Sequence, residues 1–174
     1  MGAKAVKGEI DIYYFDESGF DLNPNIPYAW SEIGEILSIP AKRSKKLNVL
    51  GFLNINTPDL FASITNDSVD SEVVIEHFNL FAEVITKPTI AVVDNASMHT
   101  SDKFKNMLET WEEKGLTVFY LPPYSPELNP IEMLWKFMKY YWIELDAYKS
   151  TTNMKKYVEK VIQNYGIDYE INFK

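Results

Sequence analysis

The chain has 174 residues, 46% hydrophobic and 24% charged, with no cysteine. That composition suits one globular domain and excludes general disorder, disulfide frameworks, zinc–thiolate sites and cysteine nucleophiles; with no apolar run near the ~20 residues of a membrane span and no signal-peptide core at its start, it is expected to be soluble and cytoplasmic. The formal net charge of −8 opposes the basic footprint of nucleic-acid binders, but the excess is confined to residues 59–113, with 11 acidic and 3 basic residues; residues 1–58 hold 7 and 6, residues 114–174 hold 7 and 8.

In chain order, residues 9–16 (Glu-Ile-Asp-Ile-Tyr-Tyr-Phe-Asp) alternate as a strand ending on Asp16. Gly19 to Pro27, rich in Gly, Asn and Pro, reads as a loop. Strands are expected over 35–41 and 47–55, joined through the basic cluster Lys42-Arg43-Ser44-Lys45-Lys46, with a short strand over 59–65. Apolar residues at 74, 75, 78, 81, 82 and 85 predict a helix from Ser71 to Ile85, capped by Asp70 or Ser71. The continuous apolar run Thr89-Ile90-Ala91-Val92-Val93 has the character of a buried central strand and ends on Asp94-Asn95. A helix over 101–114 closes at Gly115, and a strand over 117–121 stops at Pro122-Pro123. Asn129-Pro130-Ile131-Glu132 opens a further helix, with Asn129 suited to the N-cap and Glu132 to the third position. Its apolar stripe runs through 131, 134, 135, 138, 142 and 145; a final helix spans roughly 151–164, ended by Gly166. Mixed strands followed by alternating strands and helices predict a mixed sheet with helices on its faces.

Asp16 and Asp94 both fall at the carboxyl ends of predicted strands, where open α/β sheets form their sites. If those strands are neighbours, two like charges lie close together, an arrangement that a cation relieves. Hard oxygen ligands suit Mg²⁺ or Mn²⁺, and Glu132 at a helix start is placed to supply a third carboxylate. Each residue also has an ordinary reading. Asp16 can simply end a strand beside a solvated Glu17, Asp94-Asn95 can form a turn, and Glu132 can bond back to Asn129 in a capping box.

Three segments resemble the signature blocks of the catalytic (D,D,E) domain of mariner-superfamily transposases, in particular the bacterial insertion-sequence branch. The first is Tyr14-Phe15-Asp16-Glu17-Ser18-Gly19-Phe20, followed by Tyr28-Ala29-Trp30 and Gly34. The second is Val92-Val93-Asp94-Asn95-Ala96-Ser97-Met98-His99. The third runs from Leu121-Pro122-Pro123-Tyr124-Ser125-Pro126 through Glu127-Leu128-Asn129-Pro130-Ile131-Glu132, with Trp135 and Lys139 after it. Thirty-seven residues separate Asp94 from Glu132, within the range of that family.

The resemblance implies a ribonuclease-H-like fold, a five-stranded mixed sheet flanked by helices. It implies that Asp16, Asp94 and Glu132 are catalytic and hold two Mg²⁺ or Mn²⁺ ions. The implied reaction is cleavage of transposon DNA ends and transfer of the 3′-hydroxyl into target DNA, with TA as the target sequence and a homodimer assembled on DNA. Asn95 and His99 match positions of the second block: Asn95 as a holder of water or phosphate or as a turn cap, His99 as a DNA contact, a carboxylate-orienting group or a structural residue. Lys136 and Lys139 share a helical face with Glu132 and are candidates for phosphate contact, as are Lys42, Arg43, Lys45 and Lys46; for Lys136 the alternative is a pair with Glu132, and for the cluster a solvated hairpin tip. Trp30 and Trp135 read as core residues rather than base-stacking platforms.

Members of that family carry a helix-turn-helix region that reads the transposon ends. Only eight residues precede the first predicted strand, so the sequence reads as a single catalytic domain, 1–174, without that region. Two other functions fit the same fold: a stand-alone ribonuclease-H-like nuclease, and a domesticated interaction module without chemistry.

Overall fold

The computed structural model describes residues 8–22 and 46–173. The strand expected over 35–41, the basic residues Lys42, Arg43 and Lys45, and Trp30 lie outside them. Five strands form one sheet of order β3-β2-β1-β4-β5. They are β1 (Asp11–Phe20), β2 (Leu47–Asn54), β3 (Asp59–Thr65), β4 (Thr89–Val93) and β5 (Leu116–Tyr120). β1, β2 and β3 are antiparallel neighbours, while β1/β4 and β4/β5 are parallel. The expected mixed sheet flanked by helices is therefore the observed one.

β1 does not stop at Asp16. It continues to Phe20 because Asp16 to Phe20 pair with Gly51 to Leu47 of β2. The aspartate is thus a mid-strand residue, and Gly19-Phe20, expected in a loop, belong to the sheet. Local composition favoured a turn at Gly19; the long-range ladder overrode it.

Both faces of the sheet are covered. One carries α1 (Ser71–Val84), α2 (Asp102–Lys105) and α3 (Leu108–Glu113) over a core of Phe15, Phe52, Phe78, Phe81, Phe104 and Trp111. Phe52 and Phe81 stack with centroids 3.9 Å apart, and Phe15 meets Phe78 edge-on at 4.8 Å. The other face carries α4 (Ile131–Phe137) and α5 (Thr151–Gln163) over Leu47, Val49, Leu53, Leu134, Met154 and Val158. Double coverage explains why the β2 sequence Leu-Asn-Val-Leu-Gly-Phe-Leu-Asn is buried almost throughout instead of alternating.

Asp70 caps α1, its carboxylate accepting from the N–H groups of Glu72 and Val73. The single helix expected over 101–114 is broken at Asn106-Met107, where Met107 N–H turns back to the Phe104 carbonyl. Gly115, at φ +87°, ends α3 as expected.

α4 departs most from its expected form. After Phe137 it passes into a π-helical turn, Met138–Trp142, in which Ile143 N–H bonds the Met138 carbonyl at 3.1 Å. The extra residue in that turn slips the apolar stripe by one position. Ile143 is therefore buried, whereas Trp142, on the stripe at regular spacing, is only half-buried. Among the described residues no helix is long and apolar enough to cross a membrane.

Candidate active site

β1 and β4 run parallel, and their last pair is Tyr14 with Val92. Carrying that register two residues further sets Asp16 beside Asp94, at the carboxyl end of β4. Glu132, the second residue of α4, approaches the same place: its charge and that of Asp94 both act on Asp16, and Asp94 acts on Glu132. The tertiary structure therefore brings the three acidic residues of the signature blocks together from separate elements.

Their environments differ. The Asp16 carboxyl is pushed up to about 7, first by burial, then by the Glu17 charge, with Asp94 and Glu132 adding repulsion. Its Oδ2 accepts from the Trp135 indole N–H at 3.0 Å. Asp94 is held below the usual carboxylate range, chiefly by its bond to His99 Nδ1 at 2.7 Å and also by the Ala96 N–H at 3.0 Å. Glu132 is exposed but raised by desolvation and by the charges of Asp94 and Glu127.

Asn129 does not act as the helix cap. Pro130 takes that position without a side-chain cap bond, and the Asn129 amide instead donates to the Phe15 carbonyl at 3.1 Å, 114 residues away in sequence. A local capping role lost to a tertiary one: β1 offers a carbonyl beyond the end of its ladder with β4, and Asn129 satisfies it. This bond ties the entry of α4 to the strand that bears Asp16.

The Pro122-to-Pro130 loop forms one wall of a cavity of about 360 Å³ that also includes Asp94, Asn95 and Glu132. At its rim Tyr124 is fully exposed with φ +57°, a left-handed backbone uncommon outside glycine. A comparable cavity of about 430 Å³ lies at the other end of the strands, but its charged side chains are already engaged, Asp59 with Tyr13 and Lys87 with Asp11.

The remaining sequence candidates are placed as follows. Asn95 donates its amide to the Leu121 carbonyl, joining the ends of β4 and β5. His99 is buried between Asp94 and Glu17; burial alone would lower its pKa, but the two carboxylates outweigh it and raise it to about 9. Lys139 lies in the π-turn, half-buried with its Nζ 5.3 Å from the Phe20 ring centroid. Burial lowers its pKa, as does Lys46, while Asp16 and Asp21 oppose the shift. Lys139 thus stands within electrostatic reach of both Lys46 and Asp16. Lys136 is exposed. Trp135 is buried as expected of a core residue, but its bond to Asp16 was not legible from its apolar spacing. Glu17 has a side chain only 20% exposed, which departs from the ordinary reading of a solvated Glu17 beside a strand-ending Asp16.

Among the described residues no group of three or more His, Asp or Glu side chains encloses an ion as it stands. One oxygen of Asp16 and one of Asp94 are engaged by Trp135 and His99. The donor set nevertheless fits a hard divalent cation. It offers carboxylate oxygens only, and the mutual repulsion that raises Asp16 and Glu132 is what such a cation would relieve.

A doubly covered mixed sheet of this strand order, with one carboxylate within its central strand and another just past the end of the adjoining parallel strand, defines a ribonuclease-H-like core. Residues 11–155 match the family described as DDE superfamily endonuclease, and the chain belongs to that family. The chain is 27% identical over 131 residues to the insertion element IS630 uncharacterized 39 kDa protein of Shigella sonnei, covering 74% of this chain and 37% of that protein. It is 33% identical over 82 residues to the uncharacterized protein y4pE/y4sA of Sinorhizobium fredii (strain NBRC 101917 / NGR234), covering 46% of this chain and 56% of that one. The chain thus spans only part of the length of either relative.

The fold is shared with solved structures. The Mos1 mariner paired-end complex with Mn matches with a TM-score of 0.62 at 18% identity, covering 91% of this chain and 49% of that one. The HTLV-2 integrase catalytic core domain in complex with magnesium (dimeric form) matches with a TM-score of 0.56 at 11% identity, covering 88% and 83%.

Proposed function

We propose that this domain cleaves transposon DNA ends and transfers the resulting 3′-hydroxyl into target DNA, with TA as the target sequence, through two Mg²⁺ or Mn²⁺ ions held by Asp16, Asp94 and Glu132. The observation that carries this reading is the convergence of three acidic residues from β1, the end of β4 and the start of α4, with Asp16 raised to about 7 by burial and by the charges around it. Bound there, divalent ions supply Lewis-acid activation of an attacking oxygen and of the departing one.

The chain's own groups prepare the site. Trp135 orients Asp16, and His99 with the Ala96 N–H orients Asp94. Asn129 anchors the helix that carries Glu132. Lys139 puts positive charge within reach of Asp16, where a DNA phosphate would otherwise be repelled. The proline-rich wall with Tyr124 bounds the cavity through which a strand reaches Asp94 and Glu132.

The Mos1 structures are described as a strand transfer complex and paired-end complexes, and the HTLV-2 integrase core as dimeric. We infer by likeness that this chain also works on DNA as a homodimer. The test is nicking of a supercoiled plasmid carrying the element's own ends, with Mn²⁺. Activity is expected from the wild type and its loss, by at least a hundredfold, from Asp94→Ala. Activity that persists in Asp94→Ala, or in EDTA, refutes the proposal.

A further inference from the structure

We propose that Glu17 is a positioning residue for Asp94, acting from the opposite face of the sheet through the buried ring of His99. This rests on the reading of Asp94 as a metal-binding carboxylate. Successive residues of a strand point to opposite faces. Asp16 accordingly meets Trp135 under α4, while Glu17 points, like Phe15, toward the aromatic core beneath α1 and α2. Nothing in the proposed chemistry calls for a carboxylate there.

Glu17 Oε2 is buried and without a hydrogen bond, and so is His99 Nε2. Burying such groups unpaired is costly, so a pair of them in one place asks for an explanation. They face each other at 3.5 Å, an ion-pair separation longer than a hydrogen bond. On its other side the ring is bonded through Nδ1 to Asp94 Oδ1 at 2.7 Å. It is 1% exposed and lies against Phe15 and Phe104, with centroids 5.4 and 5.9 Å away.

The chemistry of the arrangement is directional. The two carboxylates stand at opposite nitrogens of one buried ring, so the ring is held from both sides. With one carboxylate alone the ring could exchange its nitrogens or turn away. With the second behind it, the ring is kept with Nδ1 on Asp94. The bonds from His99 and from Ala96 both fall on Oδ1, and neither uses Oδ2. Glu17 thereby selects, from across the sheet, which oxygen of Asp94 is presented to a cation.

The experiment compares Mn²⁺ binding by titration calorimetry in the intact chain, without DNA, for the wild type, Glu17→Gln, His99→Asn and the double variant, with melting followed in parallel. Glu17→Gln keeps the size of the side chain and is expected to melt cooperatively while binding Mn²⁺ about tenfold more weakly. Within the His99→Asn background the same change is expected to alter affinity less than twofold, because its route to Asp94 is already cut. Glu17→Asp keeps the charge, is expected to lie between wild type and Glu17→Gln, and carries the test if Glu17→Gln does not fold. Unchanged Mn²⁺ affinity in Glu17→Gln, a lowered melting temperature alone, or an equal loss in both backgrounds each overturns the proposal. Mn²⁺ binding lost in Asp94→Asn but intact in Glu17→Gln refutes this inference and leaves the metal-site reading standing. Binding indifferent to Asp94→Asn refutes both.

Discussion

Replacing Asp16 by Asn is expected to stabilise the metal-free protein while abolishing its chemistry. The wild-type carboxyl rises from 3.8 to about 7 on folding, with burial as the leading cause. Between those values the folded state holds a proton that the unfolded chain has released, so this group lowers stability as pH rises. The penalty is absent below about pH 4 and complete above about pH 7. A tenfold change in proton affinity corresponds to ~1.4 kcal/mol, which sets a ceiling of roughly 4 kcal/mol. The carboxyl is not wholly enclosed and shares its field with Asp94 and Glu132, so a gain of about 1–3 kcal/mol is expected at pH 8. Urea unfolding of both proteins in EDTA at pH 4.5, 6 and 8 measures it. The gap should be smallest at the lowest pH and widen upward. Adding Mn²⁺ at pH 8 should reverse the order, because only the wild type gains binding energy. A gap independent of pH, or a wild type more stable than Asp16→Asn in EDTA at pH 8, refutes the reasoning.

Other substitutions probe the same supports. Gly51 pairs with Asp16 across β1 and β2, and a methyl group there would sit 3.0 Å from the Trp135 ring and 3.3 Å from Ile131. Gly51→Ala is therefore expected to cost about 1–3 kcal/mol in urea unfolding and to lower nicking activity by displacing the indole that holds Asp16. Lys139→Gln is expected to leave the melting temperature within a few degrees and to flatten the salt dependence of DNA binding, measured by fluorescence anisotropy, by about one phosphate contact. Lys103→Ala breaks an exposed pair with Glu72 and should change stability by less than about 0.5 kcal/mol, a control for nonspecific effects of losing a lysine.

The order of elements was legible because it rests on local patterns. The apolar run at 89–93 reads as a central strand because parallel strands bury both faces, and that is what β4 does. Residues 59–65, 71–84 and 151–163 fall where period and caps place them. The candidate site was legible as three acidic residues with distinctive neighbours, since aspartate at a strand end and glutamate at a helix start are visible without a fold.

What pairing and packing decided was different in kind. Asp16 became a mid-strand residue because β2 supplies partners as far as Phe20. Asn129 left its cap position because a carbonyl 114 residues away needed a donor. The buried stripe of α4 and the turn that follows it moved from 142 to 143 because that turn holds an extra residue. Glu17, one residue from Asp16 and ordinary in the sequence, turned inward to His99, because side chains of neighbouring strand residues take opposite faces and the far face here is core. The sequence by itself determined which acidic residues the chain carries and which element bears each one, since spacing and propensity are local. Their proximity, the raised Asp16 and the supports behind Asp94 came only with the tertiary structure, because burial and charge coupling exist only when distant segments meet.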